Sequence, residues 1–330
     1  MRTDELIKIF SRLIIRIILS IPTILSTITI GFILLKLAPG DPAVLLAGEA
    51  ATPHYIERIR EMYGLNKPLW EQYFIYLKKA LTFDLGYSLS YKRAVIDVIL
   101  SRLPYSIMLA VSGLSMGLIL GVCLGIVSAW YRRRFISHLI SNVSFILYST
   151  PVFVIGQFLI YYLAITYKVF PVGGVVTVGT IHENTLSYIL DVALHLTLPS
   201  LTLGLVFMAS YVKLTRSSFL EVLSSNYILA SRSMGLRDFT ILFRHAFRNA
   251  IIPVVTLAGV QLGLLIGGVI ITESIFSWPG IGQLTMDAVS TRDYPLLLGI
   301  FIFTSIAVII INILVDFLYT IIDPRIKERW

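Results

Sequence analysis

Six stretches of the chain are apolar and free of Asp, Glu, Lys and Arg: 17–35, 103–131, 135–167, 192–212, 249–272 and 294–315. Only His138 and His195 interrupt the third and fourth. A helix needs about 20 apolar residues to cross the hydrocarbon core of a bilayer. Helices satisfy their own backbone polar groups there, which isolated strands cannot do. The pattern therefore predicts an all-α integral membrane protein with six transmembrane helices, each stretch forming one span.

Between the first two stretches the pattern changes. Pro39, Gly40 and Pro42 in LAPGDPA turn the chain out of the first span. In TPHYIERIREMYG, Thr52 is placed as N-cap, Pro53 at the first helical position and Gly64 just past the end. Ile56, Ile59 and Tyr63 share one face. An aromatic-rich helix is predicted from Pro68 to Leu81, and another from near Arg93 to Pro104. These elements predict a small extracytoplasmic helical subdomain. It either packs on the outer mouth of the protein or receives an external partner. The expected organisation is 1–36 as a cytoplasmic N-terminus and first span, 37–102 as the extracytoplasmic segment, and 103–330 as a five-helix core.

Composition agrees with the pattern. Of 330 residues, 56% are hydrophobic and 14% charged, against about 25% charged in an ordinary soluble domain. Lys8, Arg12 and Arg16 before the first apolar run resemble a signal peptide. The run is longer than a signal core, however, and no small-residue cleavage pattern follows, so a retained span is expected. The net charge is +8. With the N-terminus inside, segments 1–16, 132–134, 213–248 and 323–330 hold 16 Lys and Arg against 6 Asp and Glu. The outer segments hold 11 against 12. The positive-inside rule therefore puts both termini in the cytoplasm of a multi-pass cell-membrane protein. Topology accounts for the basic balance, so no nucleic-acid partner is expected.

Little in the sequence suggests catalysis. Cys123, the one cysteine, is read as a buried thiol that can build neither a disulfide nor a metal site. GLSMG (113–117) matches the nucleophile-elbow pattern around Ser115, but it sits inside an apolar run instead of a strand–turn–helix. No zinc-protease motif and no Gly-rich phosphate loop with Gly-Lys-Ser/Thr occurs, so no metal or cofactor is expected. Asp316 is the one acid well inside an apolar run, and a cap or a pair with Arg325 is its expected role. His138 and His195 lie near span ends and are expected to bond locally. Gly113, Gly117, Gly121 and Gly125 repeat at four-residue steps in the second span, as do Gly259, Gly263 and Gly267 in the fifth. Such steps keep small residues on one face and mark close helix–helix packing.

The segment 213–248 carries the clearest functional pattern. Ser225 or Asn226 caps a helix from Tyr227, with Ala230, Ser231, Arg232 and Ser233 in it. Gly235 stops it in a left-handed conformation, and Leu236 and Asp238 lead into a second helix bearing Arg244 and Arg248. A lipid-surface anchor explains the arginines. A narrow helix with a glycine stop better fits a groove in another protein.

This segment resembles the cytoplasmic loop of permease subunits in binding-protein-dependent ABC importers, whose pattern is Glu-Ala-Ala, three residues, then Gly. Leu229, Ala230, Ser231 and Gly235 stand at those positions, with the acid replaced. Further stretches resemble the dipeptide/oligopeptide/nickel branch, the B-type permeases: LAPGDPA, YGLNKPLWEQY, DLGYSL, RLPYS, FRHAFRNAIIPVV, ESIFSWPGIGQL, RDYP and DPR. The resemblance implies a type I importer permease fold. It also implies a coupling helix at 227–235 seated on cytoplasmic ATP-binding subunits, of which there are two, a second homologous permease, and an extracytoplasmic solute-binding protein. The chain itself would hydrolyse nothing and would form a solute path with the second permease. Peptides are the expected solutes, with oligosaccharides or nickel complexes as the alternative. Glu273, Trp278, Pro279, Gly280 and Gly282 are candidates for an outer gate.

Overall fold

A computed structural model describes residues 3–37, 41–47, 51–265 and 269–322. Pro39, Gly40, Gly267, Asp323 and Arg325 fall outside these, as does the side chain of Asp316. The chain packs into two compact units, one formed mainly by Met1–Ser106 with Pro279–Phe317, the other by Ile107–Leu265 with Ile271–Trp278.

In the first unit, α1 (Thr3–Leu37) is followed by three short helices, α2 (Pro42–Ala47), α3 (Pro53–Tyr63) and α4 (Leu69–Leu81). α3 has the ends its sequence encodes. The Thr52 side chain accepts from the Tyr55 amide, Pro53 opens the helix, and Gly64 closes it at φ 60°. A two-residue antiparallel pair follows, β1 (Tyr87–Ser88) with β2 (Arg93–Ala94), which the all-α reading did not anticipate. It leads straight into α5 (Val95–Trp130). The separate outer helix expected to end at Pro104 is thus the first part of α5. A proline removes one ladder bond, and the packing of neighbouring residues outweighs that loss here. Val95, Val98 and Ile99 of α5 form a core with Ile281, Leu284 and Ala288 of α14 (Ile281–Ser290) and Leu296 and Ile300 of α15 (Tyr294–Ile322).

The second unit contains the rest of α5, then α6 (Phe135–Ser149), α7 (Val152–Leu159) continuing as a π-helical stretch Ile160–Thr166, and α8 (Thr185–Leu223). Beyond these lie α9 (Asn226–Ser233), α10 (Asp238–Thr240) continuing as a π-helical stretch Ile241–Ala246, α11 (Phe247–Ala250), α12 (Ile252–Leu265) and α13 (Ile270–Ile275).

The apolar stretches do not all become straight spans. Val95–Trp130, Thr185–Leu223 and Tyr294–Val315 are uninterrupted and long enough to cross. Ile18–Leu34 forms a slightly shorter apolar section of α1. The third stretch bends by 104° between α6 and α7, and the fifth bends by 45° before α12. Pro151 explains the sharper bend. It forces Thr150 into an extended conformation, φ −86° and ψ 126°, and cannot donate to the preceding turn.

The glycine ladder of α5 lies against α8. A β-carbon at Gly113 would stand 2.8 Å from Leu203 Cβ, one at Gly117 2.8 Å from Phe207 Cβ, and one at Gly125 2.5 Å from Thr215 Cβ. At Gly121 it would overlap Tyr211. Both helices advance by four residues per contact, so the two backbones stay in close approach over about three turns. Gly263 is buried and Gly259 half-buried on α12, which also packs on α8. Cys123 is exposed, contrary to the buried-thiol reading. It lies about 200° around the helix from Gly121, on the face turned away from α8, where a small apolar side chain suits lipid equally well.

Candidate functional site: the α9 segment and two carboxylate clasps

α8 runs unbroken from Asn184, whose side chain accepts from the Ser187 amide, to Leu223. Two residues later α9 begins, with Ser225 at the N-cap in extended conformation. The Ser225 hydroxyl bonds back to Val222 O at 2.6 Å and does not cap α9. Ile228 anchors the helix. It is fully buried with Phe219 of α8, Ala129 of α5, and Ile241, Ala246 and Ala250 of the following helical segment. Ser231 is buried on the same face and donates to Tyr227 O at 2.8 Å. The Asn249 amide donates to the Tyr227 hydroxyl at 2.9 Å. Gly235 ends the helix at φ 75°, its amide bonded to Arg232 O at 2.9 Å, with nothing within 4 Å of the place a β-carbon would occupy.

The other face of α9 is open. Tyr227, Leu229, Ala230, Arg232, Ser233, Met234 and Leu236 are exposed, with Met234 at 72%. Phe239 beyond the glycine is also exposed and meets Phe243 at 4.5 Å between ring centroids. Beside α9 lies a cavity of about 350 Å³ lined by Trp130, Arg132, Leu220, Arg232 and Asp238. α9 is thus a short element held by Ile228, Ser231 and the Tyr227–Asn249 bond, presenting a mixed apolar and basic surface, and joined through two residues to a 39-residue helix.

At the other end of α8, Asp191 holds the preceding loop. It accepts from the Thr177 amide at 2.8 Å and the Thr177 hydroxyl at 2.9 Å. His195 Nδ1 and His182 Nε2 lie 3.1 and 3.3 Å from its oxygens. His195 bonds locally, as expected, whereas His138 is exposed. In the same unit the Gly174 amide donates to Phe276 O at 2.8 Å, tying the loop to the turn after α13. Of the candidate gate residues, Glu273 and Trp278 are fully buried, Gly280 and Gly282 are buried, and Pro279 is half-buried.

A second clasp, in the first unit, escaped the sequence reading. Asp293 is fully buried and accepts from the Ser88 hydroxyl at 2.6 Å, the Ser90 amide at 3.0 Å and the Leu296 amide at 3.1 Å. The Tyr91 hydroxyl donates to Asp287 at 3.0 Å, and the Ser90 and Thr291 hydroxyls meet at 2.9 Å. Burial, then the Asp287 carboxylate, raises the Tyr91 phenol above its ordinary value. The signal for Asp293 was present as an Asp immediately before a helix that opens Tyr-Pro. Nothing local pointed to Ser88, some 200 residues away.

Ser115 is exposed in the middle of α5, with no strained turn beneath it, so the hydrolase pattern has no structural counterpart. Among the described residues no group of His, Cys, Asp and Glu could hold a metal.

Comparison with known proteins places this architecture. Residues 117–328 match the family described as binding-protein-dependent transport system inner membrane component, and residues 9–110 match the N-terminal region of such membrane components. A probable peptide ABC transporter permease of Sinorhizobium fredii is 39% identical over 90% of this chain and 92% of its own length. The glutathione transport system permease protein GsiC of Escherichia coli K12 is 36% identical over 94% of this chain and 96% of its own. The MetNI methionine ABC transporter, in inward-facing conformations, contains a chain of similar fold. Its TM-score is 0.53 at 13% identity, covering 69% of this chain and 97% of that one. The chain therefore belongs to the inner-membrane permease family of binding-protein-dependent ABC importers.

Proposed function

We propose that this chain forms half of a solute path across the cell membrane, with both termini cytoplasmic, and that α9 is the coupling helix through which separate ATP-binding subunits drive it. A second homologous permease supplies the other half, and two ATP-binding subunits supply the hydrolysis. An extracytoplasmic binding protein delivers the solute to the segment 37–102 and to the loop before α8, while 103–330 forms the transmembrane core. Peptides or solutes of similar size are the solute class, since relatives that span nearly the whole chain are named for peptides and for glutathione. The turn from Glu273 to Gly282 is assigned to the outer gate, consistent with its buried residues and its bond to the Gly173–Gly174 loop.

The observation that carries the reading is the asymmetry of α9. Its inner face is locked by Ile228, its outer face is open, and Gly235 provides a stop that only a residue tolerant of positive φ can supply. The test uses the assembled transporter with Cys123 replaced by Ser and single cysteines at Tyr227, Arg232 or Met234. Each is expected to cross-link to an ATP-binding subunit, and the yield should change when nucleotide is added. If no position cross-links while lipid-soluble reagents label all three, α9 is a membrane-surface helix and the coupling role is lost.

A further inference from the structure

The sequence places residues 37–102 outside the bilayer, yet α4 packs along the apolar section of α1. Thr29 and Tyr73 hydroxyls meet at 2.8 Å. Phe32 lies 5.5 Å from the Tyr73 ring and 5.7 Å from the Tyr76 ring. Lys36 donates to Gln72, and Ile28 shares a core with Ala80 of α4 and Ile302 of α15. The order is antiparallel: Gln72 sits at Lys36, and Ala80 at Ile28. Ile28 lies six residues inside the end of the apolar section Ile18–Leu34, a depth of about 9 Å at 1.5 Å per residue. The C-terminal turns of α4 therefore reach the edge of the hydrocarbon, shallow enough for a lysine stem to carry its charge back to the headgroups.

The side chains of α4 sort accordingly. At about 100° per residue, Gln72, Tyr73, Tyr76 and Ala80 form the face on α1. Trp70, Phe74, Leu77 and Leu81 form a neighbouring stripe, and Trp70, Phe74 and Leu81 are 63%, 59% and 53% exposed. Glu71 and Lys78 lie on the third side. A helix in water has no use for such a stripe beside its packed face. One at a lipid–water boundary needs it, with tryptophan toward the headgroups and charged residues toward water.

We infer that α4 is seated in the outer leaflet, its Trp70–Phe74–Leu81 stripe covered by lipid and its Glu71–Lys78 side facing water. The external partner then has only the remainder of the outer segment to contact, chiefly α3 and the loop joining β1 to β2. The inference rests on the cytoplasmic N-terminus proposed above.

The test is labelling by a membrane-impermeant maleimide in intact spheroplasts, on a Cys123→Ser background in the assembled transporter without the external protein. Labelling is normalised to protein unfolded in detergent. Glu71→Cys, on the polar side of α4 beside Gln72, and Arg58→Cys, on the exposed surface of α3, are expected to react. Trp70→Cys, Phe74→Cys and Leu81→Cys are expected to react about tenfold or more slowly, as lipid-covered sites do. Equal reaction at stripe and polar positions overturns the inference, as does protection that appears only when the external protein is added. Silence at Arg58→Cys instead overturns the topology, and the inference with it. A second measurement covers misfolding of the cysteine variants. Lipid brominated near the headgroup quenches tryptophan fluorescence, and Trp70→Phe is expected to remove part of that quenched emission. An unchanged quenched fraction refutes lipid contact.

Discussion

Asp293 shows how one buried charge can join distant parts of the chain. Its carboxylate caps α15 through the Leu296 amide and holds the β1–β2 loop through Ser88 and Ser90. Asp293 and two of the donors, at Ser88 and Leu296, are closed to water, where an unmet hydrogen bond costs about 1–3 kcal/mol, whereas Ser90 is exposed. Asp293→Ala leaves them without this acceptor and is expected to destabilise the first unit by about 2–4 kcal/mol, the loss from the two buried donors together. Asp293→Asn keeps one acceptor oxygen and should lose less. Thermal unfolding of the purified transporter checks this through the order wild type, Asn, Ala. An Ala variant that melts with wild type means water reaches the cluster. Half of this device was legible in the sequence. An Asp before Tyr-Pro announces a helix start, because capping is local. The Ser88 and Ser90 bonds depend on the chain returning after some 200 residues, which no local pattern encodes.

At the scale of elements, legibility follows the same division. The ends of α3 and the glycine stop after α9 depend on one or two backbone angles, and they stand where Thr52, Gly64 and Gly235 imply. The glycine steps predicted a close approach, but Leu203, Phe207, Tyr211 and Thr215 as the opposing residues came from packing alone. Hydropathy gauges how long an apolar run is and is blind to its direction, so the turn at Pro151 stayed hidden in an unbroken run. The role of Ile228 was hidden too, because the α9 segment reads as polar and narrow. Yet an eight-residue helix is not stable alone in water, and Ile228 is its fully buried hydrophobic anchor. Ile228→Ala removes buried volume worth about 2–4 kcal/mol, more than so short an element can spare. Amide exchange over 226–235 is expected to accelerate while the α5–α8 interface stays protected. Transport should fall while nucleotide hydrolysis by the partner subunits continues. Unchanged exchange in α9 would show that the arginines and Asn249, not Ile228, hold it.

At the scale of the whole molecule, the bent α6–α7 pair decides the topology. Bent by 104°, it either crosses the membrane or re-enters on the side it left. Charge discriminates between these. Residues 132–134 hold three arginines, and residues 213–248 hold six basic against two acidic residues. Residues 168–191 hold one basic and two acidic residues. The positive-inside rule puts the first two on the cytoplasmic side and releases the third. On the topology proposed above, α8 crosses once between residues 168–191 and 213–248, and the bent pair then crosses once as well. Length permits it. α6 has 15 residues, and α7 with its π-helical stretch has 8 and 7. Two legs of about 22 Å turned by 104° reach about 28 Å end to end, close to the hydrocarbon thickness of about 30 Å. Val178→Cys is therefore expected to react with an impermeant thiol reagent applied to whole cells, and Arg133→Cys only after permeabilisation. Were both silent until permeabilisation, the pair would re-enter, α8 would run outward, and α9 would lie on the side of the membrane that holds no ATP.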